Sequence, residues 1–338
     1  MSAFPVPEGW SRHVLVPAEE LPAALIRTTI RARRDLVWGE AAVEVFCGRG
    51  QTDGPRVLVC AGVHGDEPEG VVALGRVARV LEGMKSELRG EVALVPVVNE
   101  AAFRAGTRLS PDSHNLARSF PGSESGAPTL RLAGAFWRDF ASRADVLLDL
   151  HSGGAVSRFL PLAGFYGAAN EANASFRLAR AFASSAFASP TLWQLPDTPG
   201  VLSFEAHRRG ALAIGCEWNG SGALDTDGAR GYAAGALRVL RACGALPEAG
   251  DDPLTEPNVW TGDWELAPRD GIFNPRVGLG QRVQRGEPLG EIIGFRGERV
   301  HEFTAPHDGI VLALRHLAGV GEGGWCVLVA RALEVEHG

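Results

Sequence analysis

Gly62-Val63-His64-Gly65-Asp66-Glu67 lies between a short apolar run, residues 56–61, and a segment of helical periodicity over about 68–83. The run reads as a buried strand, so the hexapeptide is a strand-to-helix turn carrying an imidazole and a carboxylate three residues apart. At that spacing both side chains face one point. A second apolar run, 145–150, leads into His151; a third, 212–216, ends at Glu217; a fourth, 92–98, ends at Asn99. Helical patterns near 127–143, 171–187 and 228–243 separate or follow these runs. Strands alternating with helices of this length predict an α/β fold, with a mostly parallel central sheet and helices on both faces. Its site is expected at the carboxyl ends of the strands. His64, Glu67 and His151 then form an imidazole–carboxylate–imidazole set of the kind that holds catalytic zinc, with one position left for water. One Zn2+ per chain is the expected cofactor, and Glu217 is the expected proton-handling carboxylate. Gly62 and Gly65 allow close backbone approach, and Asp66 is placed to orient an imidazole.

A polar loop, residues 108–122, adds two arginines in an otherwise acidic chain. Arg108 and Arg118 suit anion recognition, one at a developing oxyanion and the other at a substrate carboxylate; a structural salt bridge is the alternative for each. Asn115 and Asp149 are candidates for substrate contact, although Asn115 and Asp112 equally suit the capping of turns. Asp149 points to the same side of its strand as His151 and is a candidate for holding its ring proton. His114 and His207 are weaker pocket candidates, and His13, His301, His307, His316 and His337 read as surface residues. Trp218 either lines the site or packs.

Residues 24–30 and 42–46 suggest an antiparallel edge pair. A Pro/Gly/Asp-rich stretch at 244–255 separates a catalytic domain, 1–248, from a small all-β, barrel-like domain, 256–332. Within the latter, residues 267–272 echo residues 305–310, as two halves of a barrel that resembles biotin and lipoyl carriers. Lys85 is the only lysine in the chain, so a swinging-arm carrier is chemically excluded and a covering role is expected.

With 45% apolar and 22% charged residues, the 338-residue chain has the composition of a soluble globular protein. A formal charge of −7, with no arginine stripe interleaved with aromatics, argues against a nucleic-acid partner. No run reaches the ~18 apolar residues of a membrane span, and residues 1–17 lack a signal-peptide core. Five scattered cysteines, odd in number, read as buried thiols of a reducing compartment, which points to the cytoplasm. The composition is compatible with a homo-oligomer.

Taken together, residues 62–67, the Asn115–Gly122 stretch, Asp149-Leu150-His151 and Glu217 resemble the succinylglutamate desuccinylase/aspartoacylase family, zinc-dependent relatives of the metallocarboxypeptidases. The resemblance covers about residues 50–245 and extends to the C-terminal barrel. It implies a zinc carboxypeptidase-like fold, with His64, Glu67 and His151 as zinc ligands and Glu217 as general base and then general acid. It also implies that Arg108 polarises the scissile carbonyl and Arg118 holds the substrate carboxylate. Many members carry Asn-Arg where this chain has Ala117-Arg118, which puts the carboxylate clamp in question. The forms around Ser152-Gly153-Gly154 and Phe120-Pro121-Gly122 look closest to members that deacetylate diaminobutyrate derivatives. The expected reaction is removal of an acetyl or succinyl group from a small N-acylated amino acid. The alternatives are a carboxypeptidase acting on short peptides, and a degenerate, non-enzymatic binding subunit.

Overall fold

The computed structural model describes residues 26–31, 42–248 and 254–336. The readings of residues 1–17, His13, the turn residues 249–253 and His337 lie outside the described residues. In chain order the first half comprises β1 (Ile26–Arg31), β2 (Ala42–Arg49), β3 (Thr52–Ala61), α1 (Pro68–Gly83), β4 (Arg89–Val95), α2 (Glu100–Ala105), α3 (Pro128–Asp139) and β5 (Val146–Leu150). Next come β6 (Ser157–Phe165), α4 (Ala174–Ala186), β7 (Thr191–Gln194), α5 (Leu202–Arg208), β8 (Leu212–Gly220) and α6 (Thr226–Ala242). The remainder is all strand: β9 (Asn258–Leu266), β10 (Gly271–Pro275), β11 (Arg282–Val283), β12 (Pro288–Ile293), β13 (Arg299–Thr304), β14 (Gly309–Arg315), β15 (Gly319–Val320) and β16 (Trp325–Ala332).

The sheet is mixed. Its centre, β4-β3-β5-β8, is parallel, whereas β1-β2-β4 on one side and β8-β6 on the other are antiparallel. The same sheet continues through β6-β7-β9-β16-β14-β11, and β14 also pairs with β6. That extra pairing closes β6, β7, β9, β16 and β14 into a ring that straddles residues 244–255. The sheet is therefore not mostly parallel throughout: beyond the parallel centre only β6-β7-β9 pair in parallel, and the C-terminal strands are hydrogen-bonded into the same sheet. A second sheet, β13-β12-β10-β15, packs its own apolar cluster around Phe273, Leu289, Ile292 and Phe303.

The central strands are buried on both faces, as continuous apolar runs require. Along β3, Val57, Val59 and Ala61 pack against Leu74, Val77 and Leu81 of α1, together with α4 and α6. Leu58 and Cys60 face the other way, toward Leu132 and Phe136 of α3 and Ala213. This period-2 alternation places layers on both sides. Helix starts are set by local polar groups: Asn173 caps α4 and Asp225 caps α6, so α4 begins after residue 171. The pattern over 127–143 is broken at Phe140, with a 3-10 turn, Ala141–Arg143, beyond it. All five cysteines are free and buried or half-buried. Among the described residues no helix is long and apolar enough to cross a membrane.

The turn after β3 is tight at its glycines. A Cβ on Gly65 would lie 2.0 Å from the Ala102 carbonyl oxygen, and Gly62 has φ 61°. Gly75, inside α1, has nothing within 4 Å. Urea unfolding should therefore separate two like substitutions. Gly65→Ala is expected to lower stability by about 1–3 kcal/mol, and Gly75→Ala to raise it by about 0.5–1 kcal/mol.

Candidate metal and acyl-transfer site

Four elements converge on the turn. Pro68 begins α1, so Glu67 is the last residue before the helix, and its carboxylate makes no capping bond. It is directed into the site instead. Its Oε1 lies 2.7 Å from His64 Nδ1, and its Oε2 lies 2.8 Å from His151 Nδ1. The Ser152 backbone N–H also donates to Oε2, at 3.2 Å. One ligand atom from each of His64, Glu67 and His151 lies within 4.8 Å of the others, a spacing that could hold one metal ion.

The outer ring nitrogens explain how the imidazoles are aimed. His64 Nε2 is 3.0 Å from Asn115 Oδ1, and His151 Nε2 is 3.2 Å from Asp149 Oδ2. With Nε2 bonded to an oxygen acceptor, Nδ1 is the ring atom turned to the common point, where it donates to Glu67 and would offer a lone pair to a cation once that proton is given up. The donor set therefore fits a metal ion on chemistry as well as on distance. The main chain of His151 is fixed too: the buried Tyr232 hydroxyl donates to its carbonyl at 2.6 Å.

Burial and mutual charge set the protonation states. Burial pushes the Glu67 carboxyl up, but His64 and His151 outweigh it and hold the group well below the usual carboxylate range. Burial lowers His64. Burial also opposes charge on His151, yet Asp149 and Glu67 raise it well above the ordinary imidazole value. Glu217, on β8 opposite Leu162 of β6, is the contrasting carboxylate. Burial and the Glu67 charge raise it well above the usual range, against the pull of His151 and Arg108, and its Oε2 is buried with no hydrogen-bond partner.

The loop arginines reach the same place. Arg108 Nη1 donates to Glu67 Oε1 at 3.1 Å and lies 3.2 Å from His64 Nδ1. Arg118 ends a short 3-10 turn, Leu116–Arg118, that Asn115 caps by accepting from the Ala117 N–H at 2.9 Å. Arg118 Nη1 donates to the Ala117 carbonyl at 2.8 Å, and burial, then the Arg108 charge, lower its pKa.

Some expectations change, and some open alternatives are decided. Asp66 meets no imidazole; it accepts from the Ala155 N–H at 2.8 Å and so shapes the loop after β5. Gly154 is what permits this, since a Cβ there would lie 2.4 Å from Asp66 Oδ2. Asp112 binds the Thr129 hydroxyl and N–H, at 2.6 and 2.9 Å, and thereby fastens the start of α3. Trp218 packs, with its indole N–H donating to Asp225 at 2.9 Å and its ring edge-on to Tyr232. His207 stacks on Tyr166 at 4.8 Å, and His114 is half-exposed beside Asp112. His316 is exposed, whereas His301 and His307 are half-buried. Two site-building residues went unread. Tyr232 lies in a helical repeat with no motif around it, and Trp325 reaches the arginines only through the closure of the sheet.

Residues 53–243 match the model of the succinylglutamate desuccinylase/aspartoacylase catalytic domain. The chain is 29% identical over 308 residues to an N-alpha-acetyl-L-2,4-diaminobutyric acid deacetylase of Halomonas elongata, covering 88% of each chain. Among solved structures, a succinylglutamate desuccinylase from Silicibacter superposes with a TM-score of 0.75 at 26% identity, covering 92% of this chain and 94% of that one. A product-bound ectoine utilization protein from Ruegeria pomeroyi gives a TM-score of 0.75 at 28% identity, covering 91% and 94%.

Removing an acceptor behind an imidazole should weaken cation binding without removing a ligand. In a competition titration, Asn115→Ala is expected to lower divalent-metal affinity about 10- to 100-fold.

Proposed function

Because the chain belongs to the succinylglutamate desuccinylase/aspartoacylase family, we propose that it is a zinc-dependent deacylase of small N-acylated amino acids, with an N-acetyl-diaminobutyrate as its substrate. One observation carries the reading. A two-imidazole, one-carboxylate cluster stands beside a second carboxylate, the half-buried Glu217, whose Oε2 is buried without a hydrogen-bond partner and whose pKa is raised. Deprotonated, the cluster offers one ligand atom from each residue, and zinc accepts this donor type. We assign one ion per chain to His64, Glu67 and His151. Bound there, zinc supplies Lewis acidity toward the amide oxygen and toward water.

The chain's own residues perform the rest. Glu217 Oε2 accepts a proton from the attacking water and returns it to the leaving amine; its raised pKa lets one carboxyl serve as base and then acid. Arg108, fixed against Glu67, donates toward the acyl oxygen as negative charge develops there. Arg118 holds the carboxylate of the amino acid. Asn115 and Asp149 keep both imidazoles aimed and border the substrate. The Ala117 methyl offers no polar atom, so the carboxylate is held by the guanidinium without an amide beside it. We assign the chemistry to residues 1–248 and a covering role to residues 256–332, in the cytoplasm. The deacylase names of the relatives favour this reading over a peptidase, and the complete donor set favours it over a non-enzymatic subunit.

The test is amine release from N-acetyl-diaminobutyrate, N-acetyl-aspartate and N-succinyl-glutamate, with metal content measured alongside. Wild-type protein is expected to carry about one zinc per chain and to hydrolyse the first selectively. Glu217→Gln should keep the metal and lose about 10²- to 10⁴-fold in kcat. A glutamine variant with undiminished turnover would remove Glu217 from the mechanism.

A further inference from the structure

We propose that Trp325 is a positioning residue for the arginine pair, so that the C-terminal strands complete the anion-recognising half of the site. Arg108 and Arg118 lie over the same indole, each with its Cζ 5.6 Å from the ring centroid. The ring is itself held in place. Trp264 of β9 stacks on it at 4.9 Å with planes 13° apart, and Phe159 of β6 meets Trp264 edge-on at 5.8 Å. Arg315 donates to the Trp325 carbonyl at 3.3 Å. Since β6 also pairs with β8, an aromatic series runs from the neighbour of the strand bearing Glu217 to the two guanidiniums.

Two like charges repel, and half-buried Arg108 and exposed Arg118 need something to keep them together. A carboxylate between them would do so, but it would occupy their N–H donors and put negative charge where the substrate's own must sit. An indole face attracts guanidinium through its quadrupole and leaves the in-plane N–H groups free to point elsewhere. The ring therefore gathers positive charge without neutralising it. Dependence on the ring is unequal. Arg108 is also tethered to Glu67, at 3.1 Å, whereas Arg118 donates to the carbonyl of its own neighbour, Ala117. Loss of the ring should displace Arg118 first, weakening substrate capture more than turnover.

The kinetic readout rests on the deacylase reading; the geometry does not. Trp325 is replaced singly by mono-, di- and trifluorotryptophan, which withdraw electron density from the ring face while nearly preserving its shape. With the N-acyl amino acid that the wild type hydrolyses, KM should rise stepwise to roughly tenfold while kcat falls less than about threefold. Trp325→Leu should reach at least the trifluoro end point, and Trp325→Phe should recover most of the loss. A flat KM across the fluorine series would reduce Trp325 to packing and overturn the proposal, whether or not the leucine variant folds. If the wild type hydrolyses nothing on the panel, the deacylase reading fails by itself, and succinate binding by calorimetry decides the role of Trp325. The same graded weakening supports it. Equal affinities, or no succinate binding by the wild type, overturn it.

Discussion

The arrangement depends on one carboxylate held between two imidazoles at a strand-to-helix junction. Glu67 bonds His64 through one oxygen and His151 through the other, and His151 arrives from the adjacent parallel strand. Nearly every neighbouring feature serves that junction. Pro68 starts the helix without using the carboxylate, Gly65 lets the Ala102 carbonyl come close, and Tyr232 pins the main chain of His151 from α6. Asn115 and Asp149 act from outside the rings. A preorganised cluster of this kind needs its supports as much as its ligand atoms, because an imidazole free to rotate presents the wrong nitrogen half the time.

Glu67 and Glu217 are chemically identical and electrostatically opposite. Glu67 is buried, flanked by two imidazoles and an arginine, and stays ionised, whereas half-buried Glu217 has an unpartnered oxygen and takes up a proton more readily than an ordinary carboxylate. Separation of the two affinities for protons follows from placement alone, and it suits one for holding a cation and the other for exchanging protons.

What the sequence disclosed and what it hid divide along physical lines. His64, His151 and Glu217 were legible because each follows an apolar run, and Glu67 because it stands three residues from His64 in the same turn, local patterns that need no knowledge of pairing. The central parallel strands were legible for the same reason. β6 was not: Arg158, Pro161 and Gly164 interrupt its alternation, and its place between β8, β7 and β14 is settled by partners distant in the chain. Missing β6 meant missing the ring it closes, and with it the route by which Trp325 comes to stand under Arg108 and Arg118. Asp66 misled for a different reason. Adjacency to a ligand suggested a partnership with imidazole, while the backbone direction at Gly65 turned its side chain to the loop at Ala155.

The ring has a consequence for how this chain can be divided. β7 has β6 on one side and β9 on the other, so its second edge is satisfied only by residues beyond 255. A protein ending before β9 would present β7 as an open edge, with Leu192 and Trp193 beside unpaired amide groups. Such an edge recruits foreign strands. The compositional break at 244–255 therefore marks a seam in the sequence that is not a safe place to cut, and a shortened chain would tend to associate through that edge before its chemistry could be examined.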